Sequence, residues 1–291
     1  MQSPQPSTPN LQPSTVFVDT HCHIHDPEFS EKYDQTVDEI ISDAKVEGVS
    51  TLICVGTDLK SSISAISFVM GRDSCYCSPA IHPHEVATHP LEKLFAELES
   101  LEKLIAENKS KIVAIGECGL DYYYHSDTVV RENQQKLLKK HIEIAIKHNL
   151  PLIFHIRDPK NQDIEVLGKA FKDFFAILDD YKNIRGVVHS FSAGSKELDG
   201  VLERGLYVGL NGIMTFTKQA HQLDMAKKVP GSRLLLETDA PFLTPAPFRG
   251  TMCKPKHLRA VAEFLSDLRD ENLEDLARET TANARQLFSI N

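Results

Sequence analysis

Short runs of β-branched and apolar residues alternate along the chain with longer stretches in which apolar residues recur every three or four positions. Eight runs read as strands: VFVDTHCH (16–23), STLICVGT (50–57), YCSPAIHPH (76–84), KIVAIGECGLD (111–121), PLIFHIR (151–157), RGVVHSF (185–191), GLYVGLNG (205–212) and RLLLETDAP (233–241). Runs such as IVAIG and LLLE are apolar at successive positions, the pattern of strands buried on both faces of a parallel sheet. The stretches between them carry helical spacing. In 34–46, Val37, Ile40, Ile41 and Ala44 fall at i, i+3, i+4 and i+7; 91–107, 131–148 and 163–180 behave alike. Pro151, after Asn149, marks a helix stop just before its strand. Eight β–α repeats without a strong linker predict an α/β fold, a closed (β/α)8 TIM barrel forming a single domain over 15–291. No GxGxxG follows the first strand and no GxxxxGK[ST] occurs, so a nucleotide-binding open sheet loses its main support.

Each strand run turns polar at its end. The first ends in His21 and His23, the third in His82 and His84, and the fourth in Glu117 and Asp121. The fifth ends in His155 and Arg157, the sixth in His189, the eighth in Glu237 and Asp239. In a barrel all C-terminal strand ends meet at one rim, where active sites lie. Residues i and i+2 of a strand share a face, so His21 and His23 can grip one ion together. A lone histidine at a strand end is more often solvated or hydrogen-bonded, but four such ends with Glu117 and Asp239 on one rim argue against coincidence. The set His21, His23, Glu117, His155, His189 and Asp239 lacks thiolates and suits Zn, Mn, Mg or Fe. Six donors exceed what one tetrahedral ion needs, so two ions sharing one carboxylate is the economical reading. His25, His82 and His84 read as supporting or substrate-contacting residues. His89, His125, His141, His148, His221 and His257, in helices or loops, read as surface residues.

Composition narrows the partners. The chain has 291 residues, 41% of them hydrophobic, and a net charge of −9. That suffices for one large core and excludes broad phosphate neutralisation of duplex DNA. Bound metal can still supply positive charge locally. Of the six cysteines none forms a CxxC pair, and Cys75-x-Cys77 fits no usual zinc framework; they read as reduced thiols of a cytoplasmic protein. No run approaches the ~20 apolar residues of a membrane span. MQSPQPSTPNLQPS (1–14) reads as a disordered tail without the apolar region of a signal peptide.

VDTHCH, IHPH, AIGECGLDYY, LPLIFHIRD, VVHSFSAG, LLLETDAPFLTP and TTANARQLF together resemble the TatD family of metal-dependent deoxyribonucleases, within the metal-dependent hydrolase barrel superfamily. The resemblance spans nearly everything after residue 15. It implies that His21, His23 and Asp239 hold one divalent ion, that His155 and His189 hold the other, and that Glu117 bridges them, with Mg, Mn or Zn as the metal. Relatives that use a modified lysine on the fourth strand differ here, where the chain reads Gly116-Glu117-Cys118. The implied activity is a 3′–5′ exonuclease acting on single-stranded ends of DNA. Asp239 then accepts the proton of water, Glu117 holds the ions, and His82, Arg157 and Arg249 orient phosphate oxygens. The rival reading is a metal-dependent deacylase or amidohydrolase acting on aminoacyl-tRNA or a small molecule. A non-catalytic metal-binding scaffold would need an impaired ligand set, and none is impaired. The chain departs from the family in two places. FRGTMCKP sets Met252-Cys253-Lys254 around the usual asparagine, and His25 stands where aspartate is frequent.

Overall fold

The computed structural model describes residues 15–160 and 167–290, so the tail expected over 1–14 lies outside the described residues. Among the described residues there are eight strands: β1 (Phe17–Cys22), β2 (Val49–Val55), β3 (Cys75–Ser78), β4 (Ile115–Asp121), β5 (Leu152–Arg157), β6 (Gly186–Val188), β7 (Tyr207–Leu210) and β8 (Leu234–Leu236). They pair in parallel, in chain order, as β1-β2-β3 and β4-β5-β6-β7-β8. Bridges from Cys77 to Ile112 and from Cys22 to Ala240 join the two sheets at both seams. The ring closes as the (β/α)8 barrel that the alternation predicts.

Side chains alternate between the inside and the outside of this ring. Val18, Ile53, Val55, Ile153, Val187 and Leu235 pack into an inner cluster. Leu52, Cys54, Phe154, Val188, Leu234 and Leu236 pack outward. Outside lie α1 (Pro27–Ser30), α2 (Val37–Val46), α3 (Leu59–Val69), α4 (Leu91–Glu107), α5 (Thr128–His148), α6 (Lys169–Asp179), α7 (Ser195–Glu203), α8 (Ala220–Lys228) and α9 (Leu258–Arg269). The last helix, α10 (Leu273–Phe288), differs: its Ala284, Leu287 and Phe288 enter the inner cluster. Its Thr281 hydroxyl donates to the Val16 carbonyl (2.7 Å), and the Asn283 amide donates to those of Gly231 (2.7 Å) and Leu234 (2.9 Å). These contacts fall where strands begin. Helix α10 therefore plugs the N-terminal end of the barrel and leaves the C-terminal mouth free; truncating Phe288 would cost about 3–5 kcal/mol of this seal.

Helix boundaries follow capping chemistry. The stretch read as 34–46 starts at Val37, because Thr36 and Glu39 form a reciprocal capping box. The stretch read as 163–180 starts, among the described residues, at Lys169. The third strand run is corrected more strongly. β3 stops at Ser78, and Pro83–Ala87 is a 3₁₀ turn, since Pro79 and Pro83 offer no N–H to a ladder. His82 and His84 thus sit on a turn over the mouth, anchored by the His82 amide donating to the Thr57 carbonyl (2.6 Å).

His141 and His257, read from sequence as surface residues, are buried. His141 occupies the inward face of α5, where Nδ1 donates to the Leu137 carbonyl (2.9 Å) and Nε2 accepts from the Ile81 amide (3.1 Å). The His257 ring stacks on Phe248 at 4.6 Å, and its Nδ1 accepts from the Lys254 amide (3.1 Å). All six cysteines are free and buried, and no helix among the described residues is long and apolar enough to cross a membrane.

Candidate metal centre

The mouth is built from strand ends held in register by polar contacts between neighbouring strands. Buried Asp19 of β1 accepts from the Thr238 hydroxyl (2.6 Å) and amide (2.9 Å), tying β1 to the residues after β8. Burial pushes the Asp19 carboxyl up to about 7 against these hydrogen bonds. Across the same seam the Asp239 amide donates to the His21 carbonyl (2.9 Å) and the His23 amide to that of Ala240 (2.7 Å). Asp239 adopts a left-handed backbone, φ 60°, which aspartate tolerates better than most residues. Glu117 is aimed inward where the β4–β5 register slips, between Ile115 and Cys118. A Cβ on nearby Gly119, φ +151°, would lie 2.0 Å from the His155 carbonyl oxygen, so glycine there permits the close approach of β4 to β5.

One group of donors gathers on the β8–β1 side. His21 Nε2 and His23 Nε2 lie 3.1 Å apart. Asp239 Oδ1 is 3.6 Å from the first and 3.3 Å from the second, and Glu117 Oε2 is 3.5 Å from His21 Nε2. The edge of a tetrahedron with metal–ligand bonds of 2.0–2.2 Å is about 3.4 Å, so these separations fit an ion at their centre. His23 Nδ1 donates to the Val55 carbonyl (2.7 Å), which leaves the Nε2 lone pair facing the group. Two imidazole nitrogens set face to face at 3.1 Å beside two carboxylates are a donor set that a cation reconciles.

A second group centres on Glu117 Oε1. His155 Nδ1 (2.7 Å), His189 Nε2 (2.8 Å) and His82 Nε2 (3.7 Å) all face it. Donors close enough to share one ion form three sets: His21, Glu117 and His189; His21, His23 and Asp239; His82, Glu117 and His155. Glu117 belongs to two of them. The structure therefore brings together all six expected ligands, with His82 beside them. The outer side of the His155 ring is held by Asp121, whose Oδ2 is 2.9 Å from Nε2 and 2.9 Å from His84 Nε2.

Charge is balanced across these groups. Burial favours a neutral Glu117, but the charge of His189 and the hydrogen bonds from His155, His189 and His21 outweigh it and hold its pKa well below the usual carboxylate range. Burial likewise opposes ionisation of Asp121 and Asp239, and facing imidazoles pull both carboxyls down. Burial disfavours cationic His23, His155 and His189, yet the facing carboxylates raise all three. A centre whose buried carboxylates are held ionised by facing imidazoles is suited to cations.

The remaining expected residues fall in three places. Arg157 lies at the mouth with its guanidinium over Tyr123 (3.9 Å) and Tyr124 (5.2 Å). Arg249 lies over Phe216 (3.8 Å) and donates to the Thr244 carbonyl (2.7 Å) within its own loop. His25 is buried behind His23, its Nε2 3.3 Å from the Ser61 hydroxyl, and burial drives its pKa down to about 3. In the departing segment, Lys254 pairs with Asp34 (2.6 Å) and the Cys253 carbonyl accepts from the Tyr33 hydroxyl (2.8 Å). It packs on the loop between α1 and α2.

Sequence reasoning passed over Asn211 and Ser190. The Asn211 amide donates to Glu237 Oε1 (3.3 Å) and to the Ser190 hydroxyl (2.9 Å), and the Ser190 amide donates to Glu237 Oε1 (2.5 Å). Glu237, 1% exposed, is thereby fixed 3.4 Å from His189 Nδ1. A Cβ on Gly209 would fall 2.3 Å from Glu237 Oε2, so the glycine makes room for that carboxylate. Asn211 was detectable, because it is the polar residue ending the seventh strand run.

The family described as TatD related DNase matches residues 18–289. The chain belongs to the TatD family. It is a metal-dependent hydrolase of that family, and named relatives align end to end. The uncharacterized metal-dependent hydrolase YabD of Bacillus subtilis is 32% identical over 95% of this chain and 100% of its own length. YcfH of Escherichia coli K12, also named an uncharacterized metal-dependent hydrolase, is 35% identical over 94% of this chain and 96% of its own. The protein named 3′-5′ ssDNA/RNA exonuclease TatD from Cronobacter sakazakii is 30% identical over 90% of this chain and 95% of its own. Among solved structures, the TatD homologue YjjV of Escherichia coli superposes with a TM-score of 0.82 at 27% identity, covering 96% of this chain and 100% of its own.

Proposed function

We propose that the protein is a deoxyribonuclease that hydrolyses phosphodiester bonds at single-stranded ends, in the 3′–5′ direction, with two divalent ions. The observation that carries this reading is Glu117, whose two oxygens face different groups of imidazoles, Oε2 toward His21 and Oε1 toward His155 and His189. That is the disposition of a carboxylate shared by two ions. His21, His23 and Asp239 would hold one ion, and His155 and His189 would hold the other. Two such cations, when bound, supply Lewis acidity that brings the pKa of water toward neutrality and offsets charge developing on phosphoryl oxygens.

The side chains divide the remaining work. Asp239, whose Oδ1 faces His21 and His23, would accept the proton of the attacking water. His82, beside Glu117 and His155, donates to a non-bridging phosphate oxygen. Arg157, and Arg249 once released from its loop carbonyl, orient the neighbouring phosphates. Asp121 and Glu237 keep the rings of His155 and His189 in position. Resident cations reconcile a net charge of −9 with a polyanionic substrate, and an acidic exterior favours a strand end in a cleft over a long duplex.

The test is a substrate panel of linear and closed circular single strands, duplex DNA, RNA, aminoacyl-tRNA and acylated small molecules, each with Mg, Mn or Zn. Shortening of the linear strand from its 3′ end, with the circle intact, is expected. Cleavage of circle and line alike refutes end-directed hydrolysis. Acyl or amide hydrolysis with every phosphodiester left intact replaces the nuclease by the deacylase.

A further inference from the structure

We infer that the substrate strand is held across the mouth by two opposed aromatic platforms, one carrying Phe242, Phe29 and Lys32 and the other Tyr124, Tyr123 and Arg157, on which bases stack on either side of the metal centre. The inference rests on the phosphodiester reading above and adds where the bases go. Its first support is the distribution of exposed rings. Among the described residues, the strongly exposed aromatics are Tyr124 (61%), Phe242 (45%) and Phe248 (43%). All three lie in segments that follow the C-terminal ends of β4 or β8, at the mouth. Exposed aromatic rings are costly in water, and their confinement to one face marks a surface that something flat covers.

The second support is what accompanies each ring. Phe242 packs edge-on against Phe29 (5.1 Å) and lies 6.2 Å from the His23 ring. Lys32 stands over the Phe29 ring at 5.4 Å. On the other side Tyr124 packs against Tyr123 (4.8 Å) and lies 5.4 Å from His84, whose Nε2 reaches Asp121 beside His155. The Arg157 guanidinium lies over both tyrosine rings. Among the described residues no carboxylate pairs with Lys32 or Arg157. Each platform thus offers a ring face for a base and a cation for its phosphate, the pairing by which single strands are held without base-specific hydrogen bonds. A protein partner would use the rings but has no need of a free cation beside each.

The third support is topology. The strands follow chain order around the closed ring. The β8–β1 seam, which carries Phe242 and His23, therefore stands opposite the β4–β5 seam, which carries Tyr124 and Arg157. Eight strands about 4.8 Å apart and tilted about 36° give a ring roughly 15 Å across. The imidazole–carboxylate centre lies between the platforms. A strand running from one to the other passes its backbone over that centre, with bases to both sides. A paired duplex cannot present its base faces this way, because they are stacked on one another.

The experiment uses a short phosphorothioate single strand, resistant to hydrolysis, in which one abasic position is walked along the sequence. Binding to the manganese-loaded protein is followed by fluorescence anisotropy. For the wild type, affinity should fall about tenfold at two separated positions. In Phe242→Ala the penalty at one of them should vanish, in Tyr124→Ala the penalty at the other, and Phe242→Tyr and Tyr124→Phe should restore both. Penalties that persist unchanged in both alanine variants, or that vanish at the same position in both, overturn the platforms while leaving the nuclease reading in place. A wild type that binds no oligonucleotide overturns both together.

Discussion

Acidification from pH 8 to pH 5 is expected to cost the folded chain about 2 kcal/mol through His141 alone. This ring is wholly buried on α5; its Nε2 must stay unprotonated to accept from the Ile81 amide, while Nδ1 donates to Leu137. Burial lowers its pKa to about 4, against the opposing effect of the Leu137 hydrogen bond. In the unfolded chain the value is about 6.5. The unfolded state therefore binds the proton more readily, and the stabilisation is fully present above pH 6.5 and lost as pH falls toward 4. The limiting loss is about 3 kcal/mol, of which about 2 kcal/mol has gone by pH 5. The perturbation that isolates it is His141→Gln, which carries no charge at any pH. Urea unfolding of chelator-treated wild type and variant, at both pH values, gives the comparison. The variant should be less stable at pH 8 by about 1–3 kcal/mol, from disturbed buried hydrogen bonds, and this gap should narrow by about 2 kcal/mol at pH 5. Parallel stability curves would refute the reasoning. The outcome bears on function, because the Ile81 bond anchors the turn that carries His82 and His84 over the mouth.

Three further expectations concern the centre itself. Elemental analysis of protein saturated with Mn or Zn should find two ions per chain, both removed by a chelator along with activity; a single ion at saturation would break the bridging argument. Glu117→Gln should keep the circular dichroism of the wild type but bind less metal and lose orders of magnitude in turnover, so a variant with full metal content and near-normal rate would show that Glu117 bridges nothing. Glu237→Gln should weaken metal affinity by about 10–100-fold, with a rise in the metal concentration needed for half-maximal binding as the readout; unchanged affinity would make Glu237 only a strap between β8 and the Ser190 turn.

The barrel and the polar residues gathered at its mouth were legible because both rest on short-range rules. Continuous apolar runs mark strands buried on two faces, and the polar residues at the end of each run mark the mouth. That rule reached His21, His23, Glu117, His155, His189 and Asp239 across more than two hundred positions. It misplaced the end of β3, because YCSPAIHPH satisfies a hydrophobic count while Pro79 and Pro83 deny it a ladder. The result is a turn that sets His82 and His84 beside His155 from above, with ring centroids at 4.6 and 6.3 Å.

What escaped was everything decided by which face of an element a polar residue occupies. His141 follows helical spacing as well as any surface residue, and only the packing of α5 against Ile81 turns it inward. Arg249 stands next to a glycine in an exposed loop, and its commitment to the Thr244 carbonyl is set by the loop's own fold. Asn211 was overlooked for a chemical reason, since a search for titratable groups passes over an amide. Yet the rule that gathers the imidazoles and carboxylates of the mouth, a polar residue at the end of an apolar strand, applies to it without change. Asp19 hides differently: it lies two residues before His21, and with the β1–β2 register slip between Asp19 and Cys22 its carboxylate meets Thr238 instead of the centre. The strand end therefore carries two functions on either side of that slip: His21 and His23 face the mouth, while Asp19 fastens their strand to the one that delivers Asp239.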